Sequence, residues 1–172
     1  MSEATLAREP AALSGRALAR LIALLLPMAL LGGAFGLQYF GGLVPCEMCW
    51  WQRYPHGVAI LLAGLAFSAP SASARSRTLT LLAALAIAVS GAIGVYHAGV
   101  ELHIFQGFTT CTSTASGGTT AELLKSIMKT PLVRCDQVQF AFLGISMAGW
   151  NAILSLGGAA LIAWLSLKPR TA

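Results

Sequence analysis

The sequence predicts an all-α membrane protein: a four-transmembrane-helix bundle with a short amphipathic helix in the second outer loop, forming one integral membrane domain over residues 1–172. Of the 172 residues, 56% are hydrophobic and only 10% charged, and the mean hydropathy is +0.73. The apolar residues fall into four long runs, close to the roughly 20 residues that a helix needs to cross a bilayer. Because lipid offers no partner to backbone polar groups, each run is expected to be a helix. A soluble bundle of buried helices is therefore disfavoured.

The first predicted span, residues 21–40, carries no charge and ends in aromatic residues. It is longer than the apolar part of a signal peptide and no A-x-A site follows it, so we expect it to be retained rather than cleaved. The other spans are predicted at residues 54–68, 79–96 and 142–165, with outer loops at 41–53 and 97–141.

Charged residues bracket these spans unequally. One side carries seven basic residues against two acidic ones: Arg8, Arg16, Arg20, Arg75, Arg77, Lys168 and Arg170 against Glu3 and Glu9. On the other side, four basic residues balance four acidic ones. The positive-inside rule then places both termini in the cytoplasm and both loops outside. Since the basic residues are not gathered on one polar domain, the net charge of +5 does not indicate nucleic-acid binding.

The second outer loop contains the pattern of a short helix. Thr119 and Glu122 have the spacing of a capping box, and Pro131 provides a stop. Between them, apolar residues recur at helical spacing: Leu123, Leu124, Ile127 and Met128. An amphipathic helix on the membrane surface is therefore predicted here.

All four cysteines, Cys46, Cys49, Cys111 and Cys135, fall in the predicted outer loops, on the oxidising side. Cys46 and Cys49 form a C-x-x-C pair, which can open and close as a disulfide without moving the fold. A helix beginning beside the pair would lower a thiol pKa. A c-type haem site would need His where Trp50 stands, and no second C-x-x-C or His pair completes a zinc site. The pair is thus interpreted as redox-active.

The first outer loop is too short to lift this pair far from the membrane, because a dozen residues must leave and return at no more than about 3.5 Å each. Cys46 and Cys49 are therefore expected at the membrane surface, within reach of an electron acceptor dissolved in the lipid. Arg53 follows Cys49 by four residues and would share its helix face. It could stabilise a thiolate and the oxygen of a bound quinone.

Cys111 and Cys135 allow two interpretations. A structural disulfide closing this loop would contribute about 3 kcal/mol in the chain-entropy model. Cys111, however, lies in a stretch of small residues typical of a flexible segment, where the thiolate of a partner protein could attack through a mixed disulfide. Spacing does not decide between them, because four cysteines permit three pairings.

Taken together, these residues resemble the bacterial disulfide bond formation protein B (DsbB) family. Residues 45–53, Pro-Cys-Glu-Met-Cys-Trp-Trp-Gln-Arg, lie between the first two spans, and a second outer cysteine pair lies between the last two. The resemblance covers nearly the whole chain. It implies a quinone-dependent thiol:disulfide oxidoreductase of the bacterial inner membrane that reoxidises a DsbA-like periplasmic thiol oxidase.

The resemblance also implies residue roles. Cys111 would form the mixed disulfide with the DsbA-like partner, and Cys135 would resolve it. Electrons would pass to Cys46 through a transient bond with Cys135, and would leave from Cys49 to ubiquinone or menaquinone. Arg53 matches the quinone-contacting arginine of this family, and His97 matches a histidine near the quinone ring. Glu47 departs from the apolar residue often found inside the pair, and its charge should raise a neighbouring thiol's pKa.

Two other functions remain as alternatives at this stage. One is a membrane protein that binds or transports a soft metal with the cysteines as ligands. The other is a structural membrane subunit with two permanent disulfides.

Overall fold

The computed structural model describes residues 14–107, 119–129 and 133–168. Cys111, predicted to exchange with a partner, lies outside the described residues. The described part consists mostly of helices, with one short hairpin. In chain order the elements are α1 (Gly15–Tyr39), α2 (Glu47–Ala66), α3 (Ala74–Glu101), α4 (Thr120–Lys129), β1 (Ala141–Phe142), β2 (Ile145–Ser146) and α5 (Met147–Leu167).

Three helices are long and apolar enough to cross a membrane: α1, α3 and α5. Large apolar side chains on their outer faces are exposed, including Leu25, Leu85 and Leu161, as expected for surfaces covered by lipid. The helix α2 has 20 residues but is not among these candidates. A membrane protein with three candidate spans is therefore established, and α2 as a fourth span stays a prediction.

The helix α2 begins earlier than its apolar run indicates. The prediction placed its start at Tyr54, whereas the helix begins at Glu47 because Cys46 caps it: the Cys46 sulfur accepts a hydrogen bond from the Cys49 amide at 3.3 Å. The first two turns of α2 thus include the polar residues Glu47, Gln52 and Arg53. This places the C-x-x-C pair on a helix end rather than in a loop.

The helix α5 begins later than predicted, at Met147 rather than residue 142. Residues 141–146 instead form an antiparallel hairpin with Phe142 opposite Ile145. Its two turn residues, Leu143 and Gly144, have φ angles of 52° and 78°, the left-handed conformation that two-residue hairpin turns require. Ser146 then caps α5 by accepting a hydrogen bond from the Gly149 amide.

The spanning helices pack through small residues, so their backbones approach closely. The buried core is formed by Ala19, Ala23, Ala59, Ala63, Ala83, Ala84, Ile87, Ala159 and Ile162. Between α3 and α5 the backbones approach closely at Gly94, where an added Cβ would lie 3.0 Å from the Ala148 carbonyl oxygen. This tight packing fixes α3 and α5 relative to each other, and with them the polar side chains that these two helices carry.

The helix α4 lies within the stretch where the sequence predicts an amphipathic helix. The Glu122 carboxylate accepts hydrogen bonds from the Thr119 amide and hydroxyl, and the Glu122 amide donates to that hydroxyl. These are the reciprocal bonds of a capping box. The side chains at 123 and 126–129 lie outside the described part, so the amphipathic face stays a prediction.

Candidate active site

The C-x-x-C pair lies at the N-terminus of α2 with both sulfurs turned inward. Cys46 is 2% exposed, and its thiol donates a hydrogen bond to the Cys49 sulfur at 2.9 Å. Cys49 lies in the first turn of the helix, where the unpaired amides stabilise negative charge. The Cys46 sulfur is therefore buried, whereas the Cys49 sulfur lies where the helix end stabilises a thiolate.

Cys135 reaches the same place from the second outer loop. The sulfurs of Cys46 and Cys135 and a ring nitrogen of His97 lie within 4.8 Å of one another, and all three residues are buried. The hydrogen bond between Cys46 and Cys135 raises the pKa of the Cys46 thiol, and the bond to Cys49 and burial raise it further. Cys46 is thus the sulfur that contacts both other described cysteines.

His97 on α3 is held by Gln52 on α2. Gln52 Nε2 lies 3.2 Å from the Met48 carbonyl oxygen, which can only accept, so this nitrogen is the donor and also donates to His97 Nδ1 at 2.7 Å. Neutral His97 must then carry its proton on Nε2. That nitrogen lies 3.6 Å from the Cys46 sulfur and 3.9 Å from a Glu101 carboxylate oxygen. This N–H therefore faces the Cys46 sulfur and the Glu101 carboxylate, and the ring also has a hydrogen bond with the Cys135 backbone.

Arg53 follows Gln52 on α2 and is buried against α1. Its guanidinium donates hydrogen bonds to the Gln38 side chain and the Ala34 carbonyl on α1. It also lies over the rings of Phe35 and Trp50, at 4.7 and 4.8 Å from their centroids. Stacking and hydrogen bonding together fix the position of this charge.

A cavity of about 250 Å³ connects these groups. Cys46, Cys49, Arg53 and His97 all line it, and the rest of its wall is mainly apolar. Its volume lies near the lower end of the roughly 300–1,000 Å³ found for small-molecule sites. Ala29 and Gly33 of α1 line it and are exposed, so the cavity is not closed off beside α1.

The structure therefore brings together five of the six residues predicted for the site: Cys46, Cys49, Cys135, Arg53 and His97. The sixth, Cys111, lies outside the described residues. Sequence reasoning gave no site role to Gln38, Gln52, His56, Glu101 or Asn151, all of which line the cavity. The available signal was the spacing on α2, where Cys49, Gln52, Arg53 and His56 recur every three or four positions and so share one face.

Comparison with known proteins identifies a single family. The family model described as disulfide bond formation protein DsbB matches residues 16–165. A protein of Hahella chejuensis named disulfide bond formation protein B is 32% identical over 151 residues, covering 82% of this chain and 88% of the relative. Proteins of the same name from Azoarcus sp. and Verminephrobacter eiseniae are 32% and 33% identical, covering 80% and 84% of this chain and 84% and 83% of their own lengths. No solved structure matches.

Proposed function

The chain belongs to the disulfide bond formation protein DsbB family and is a membrane protein-disulfide oxidoreductase, and from this we propose that it oxidises a DsbA-like periplasmic partner and passes the electrons to a membrane quinone. The quinone is ubiquinone or menaquinone. The observation that carries the proposal is the position of Cys46, whose sulfur contacts both Cys49 and Cys135 beside the cavity.

The first exchange uses the outer pair. A thiolate of the reduced partner attacks Cys111 of a Cys111–Cys135 disulfide, and Cys135 leaves as a thiolate. The second partner thiol then attacks the mixed disulfide, so the partner leaves oxidised and Cys111 becomes a thiol. Two electrons and two protons have passed from the partner to this chain. Burial of Cys135 beside Cys46 supports its role as the cysteine that continues the transfer.

The second exchange joins the two pairs. The Cys135 thiolate attacks Cys46 of a Cys46–Cys49 disulfide, forming a Cys46–Cys135 bond and releasing Cys49 as a thiolate. Return of Cys111 onto Cys135 restores the outer disulfide and leaves Cys46 and Cys49 both reduced. The contact between the two sulfurs allows this attack without a large motion of the helices.

The cavity fits a quinone ring. Cys49, Arg53 and His97 would hold it, since they line the cavity together, while the exposed Ala29 and Gly33 give an apolar opening for a lipid-soluble molecule. A bound quinone takes up the two electrons and two protons that the Cys46 and Cys49 thiols lose when their disulfide re-forms. Arg53 supplies a fixed positive charge beside Cys49, which favours the thiolate that releases the electrons.

We place the protein in the bacterial inner membrane with both termini in the cytoplasm and the cysteine loops in the periplasm. Two features support this orientation. Arg16 and Arg20 lie at the same end of the bundle as the α2–α3 connection, and their guanidinium groups donate to its backbone carbonyls. Cys46, Cys49 and Cys135 lie at the opposite end, which matches the positive-inside rule.

Single-cysteine variants test the two exchanges separately. In the Cys49→Ser protein, quinone reduction should stop, while mixed-disulfide formation with a reduced thioredoxin-fold partner continues. The Cys111→Ser protein should lose the partner exchange. Absorbance of the quinone measures the first activity, and gel electrophoresis under non-reducing conditions measures the second. Full quinone reduction by a protein lacking both Cys46 and Cys49 would contradict the proposal.

A trapped intermediate gives a structural test. In a Cys49→Ala variant, Cys46 cannot return to its own partner, so a Cys46–Cys135 disulfide should accumulate in oxidised protein and be found by peptide mapping. The same mapping on a Cys49→Ala, Cys135→Ala protein is the control and should show no disulfide at Cys46.

A soft-metal site is the competing function, because Cys46, His97 and Cys135 together offer three ligand atoms within 4.8 Å. Structural zinc almost always takes four protein ligands. Metal analysis of the reduced, purified protein separates the two functions. A stoichiometric amount of bound zinc or copper would contradict redox cycling, since a metal-bound thiolate is not available for exchange.

A further inference from the structure

His56 is a buried histidine whose second nitrogen has no assigned use in the chemistry above. It lies on α2, is 3% exposed, and lines the same cavity as Cys49 and Arg53. Its Nε2 lies 2.9 Å from Asn151 Oδ1, whereas its Nδ1 is buried without a hydrogen-bond partner among the described residues. A buried polar atom of this kind needs a hydrogen-bond partner, and a donor group bound in the adjoining cavity would supply one.

The direction of each hydrogen bond around His56 is fixed by two backbone carbonyls. Gln52 Nε2 lies against the Met48 carbonyl oxygen, so the other side-chain atom, Oε1, is the acceptor. Asn151 Nδ2 lies 2.8 Å from this Oε1 and 3.1 Å from the Ser90 carbonyl oxygen, so it must be the donor. Asn151 Oδ1 is therefore an acceptor.

This fixes the tautomer of His56. Asn151 Oδ1 accepts a hydrogen bond from the Ser155 hydroxyl at 2.9 Å and can only accept from His56 Nε2. Neutral His56 thus carries its proton on Nε2, and Nδ1 is left as a pure acceptor. Only a group that donates a proton, such as the hydroxyl of a ligand or a water molecule, can satisfy this atom. A carbonyl oxygen cannot.

His56 also has the right position along α2. It follows Cys49 by seven residues and Arg53 by three, so the three side chains share one helix face. At about 1.5 Å of rise per residue, His56 lies roughly 10 Å along the axis from Cys49. It is thus on the side of the cavity that is farther from the outer surface.

Resting on the proposed quinone site, we propose that His56 is a binding residue that selects the reduced ligand: its Nδ1 accepts a hydrogen bond from a hydroxyl group of quinol. The oxidised quinone has only carbonyl oxygens at these positions and gains nothing from this acceptor. His56 therefore favours the two-electron, two-proton reduced form that the Cys46 and Cys49 thiols produce. It acts on the relative affinity for the two forms and is not needed for thiol exchange.

The test compares equilibrium binding of the two forms, without turnover. The full chain carries Cys46→Ser and Cys49→Ser to prevent electron exchange, and a short-chain ubiquinone analogue and its quinol are titrated by calorimetry. With His56→Phe, quinol affinity should fall roughly tenfold, while quinone affinity changes less than twofold. His56→Gln supplies another acceptor oxygen and should recover part of the quinol affinity.

A second comparison measures two ligands on the same protein, so that a general loss of folding affects both alike. The quinol in which both hydroxyls are methylated has no proton to donate to His56. It should bind more weakly than quinol to the protein that keeps His56, and as tightly as quinol to the His56→Phe protein. Equal losses for quinone and quinol, or an unchanged ratio, would overturn the role of His56 and leave the quinone site standing. If neither form binds the His56 protein, the quinone site itself is wrong, and this inference with it.

Discussion

At the residue scale, Cys46 and Cys49 have different chemical environments although only two residues separate them. Cys46 is the helix cap, is buried, and shares hydrogen bonds with two sulfurs, which raises its pKa. Cys49 lies in the first turn of α2, where helix amides stabilise a thiolate. In disulfide exchange the sulfur that better carries charge is the better leaving group. Attack at Cys46 with departure of Cys49 is therefore the favoured direction.

A pH profile of thiol reactivity measures this difference. Because the pKa of Cys46 is raised, its thiolate fraction is small at neutral pH, and alkylation of the reduced protein by iodoacetamide should label Cys46 far more slowly than Cys49. The rate at Cys46 should increase only well above the usual cysteine pKa of about 8.5. Mass spectrometry of the labelled peptides gives both rates in one experiment.

The control for this prediction is Cys135→Ala. Removing Cys135 takes away the largest cause of the raised pKa, so the profile for Cys46 should shift to lower pH while the profile for Cys49 stays nearly in place. Equal labelling of the two cysteines at neutral pH, with no effect of this substitution, would contradict the assignment.

The sequence identified the reactive residues better than it identified which residues contact one another. Cys46, Cys49 and Arg53 are identified by type and spacing alone, and the structure places all three on one cavity. Asn151 could not be assigned in the same way, because it bonds to Gln52 across 99 positions of the chain. A single polar residue within an apolar run gives no indication of which distant residue it will meet. Such contacts follow only from the packing of the helices.

At the element scale, the sequence located the apolar centres of the helices but misplaced two of their ends. The start of α2 was missed because the apolar run was taken to begin at Tyr54, after Glu47, Gln52 and Arg53, yet residues 47–53 are helical, and Cys49, Gln52 and Arg53 line the cavity. The start of α5 was missed because the apolar run continues through the hairpin that precedes it. Hydropathy records which residues avoid water, whereas helix ends depend on capping bonds such as those of Cys46 and Ser146.

The close contact between α3 and α5 predicts a large effect of one methyl group. In Gly94→Ala, the new Cβ would lie 3.0 Å from the Ala148 carbonyl oxygen and 3.1 Å from the Ala152 amide nitrogen, both rigid backbone atoms. The helices must separate, at a cost of about 1–3 kcal/mol in the free energy of unfolding. Denaturation of the detergent-solubilised protein, followed by circular dichroism, measures this loss.

Gly64→Ala is the matched control for that substitution. Gly64 also lies within a helix, but an added Cβ there meets no atom within 4 Å. Alanine is favoured over glycine in helices by about 1 kcal/mol, so this variant should be as stable as the parent or more stable. If Gly94→Ala were equally harmless, the described packing of α3 against α5 would be wrong.

At the scale of the whole molecule, the two ends of the helix bundle carry different chemistry. At one end, Arg20 donates hydrogen bonds to the carbonyls of Ala66 and Ala69, at 3.2 and 2.9 Å, tying the start of α1 to the α2–α3 connection. At the other end lie Cys46, Cys49 and Cys135, the cavity and the hairpin. The described cysteines and these basic residues are thus separated by the length of the helices. The orientation of the chain decides whether the proposed reaction can occur.

Accessibility labelling of single cysteines tests this orientation directly. In a protein whose native cysteines are replaced by serine, Ala72→Cys places an exposed thiol in the α2–α3 connection, and Gln106→Cys places one just after α3. With the basic end in the cytoplasm, a membrane-impermeant maleimide should label Gln106→Cys in intact spheroplasts and should label Ala72→Cys only after permeabilisation. Each position is the control for the other, because both must react fully in detergent. Labelling of Ala72→Cys from outside would reverse the proposed orientation and place the cysteine pairs in the reducing cytoplasm, where they could not supply disulfides to a periplasmic partner.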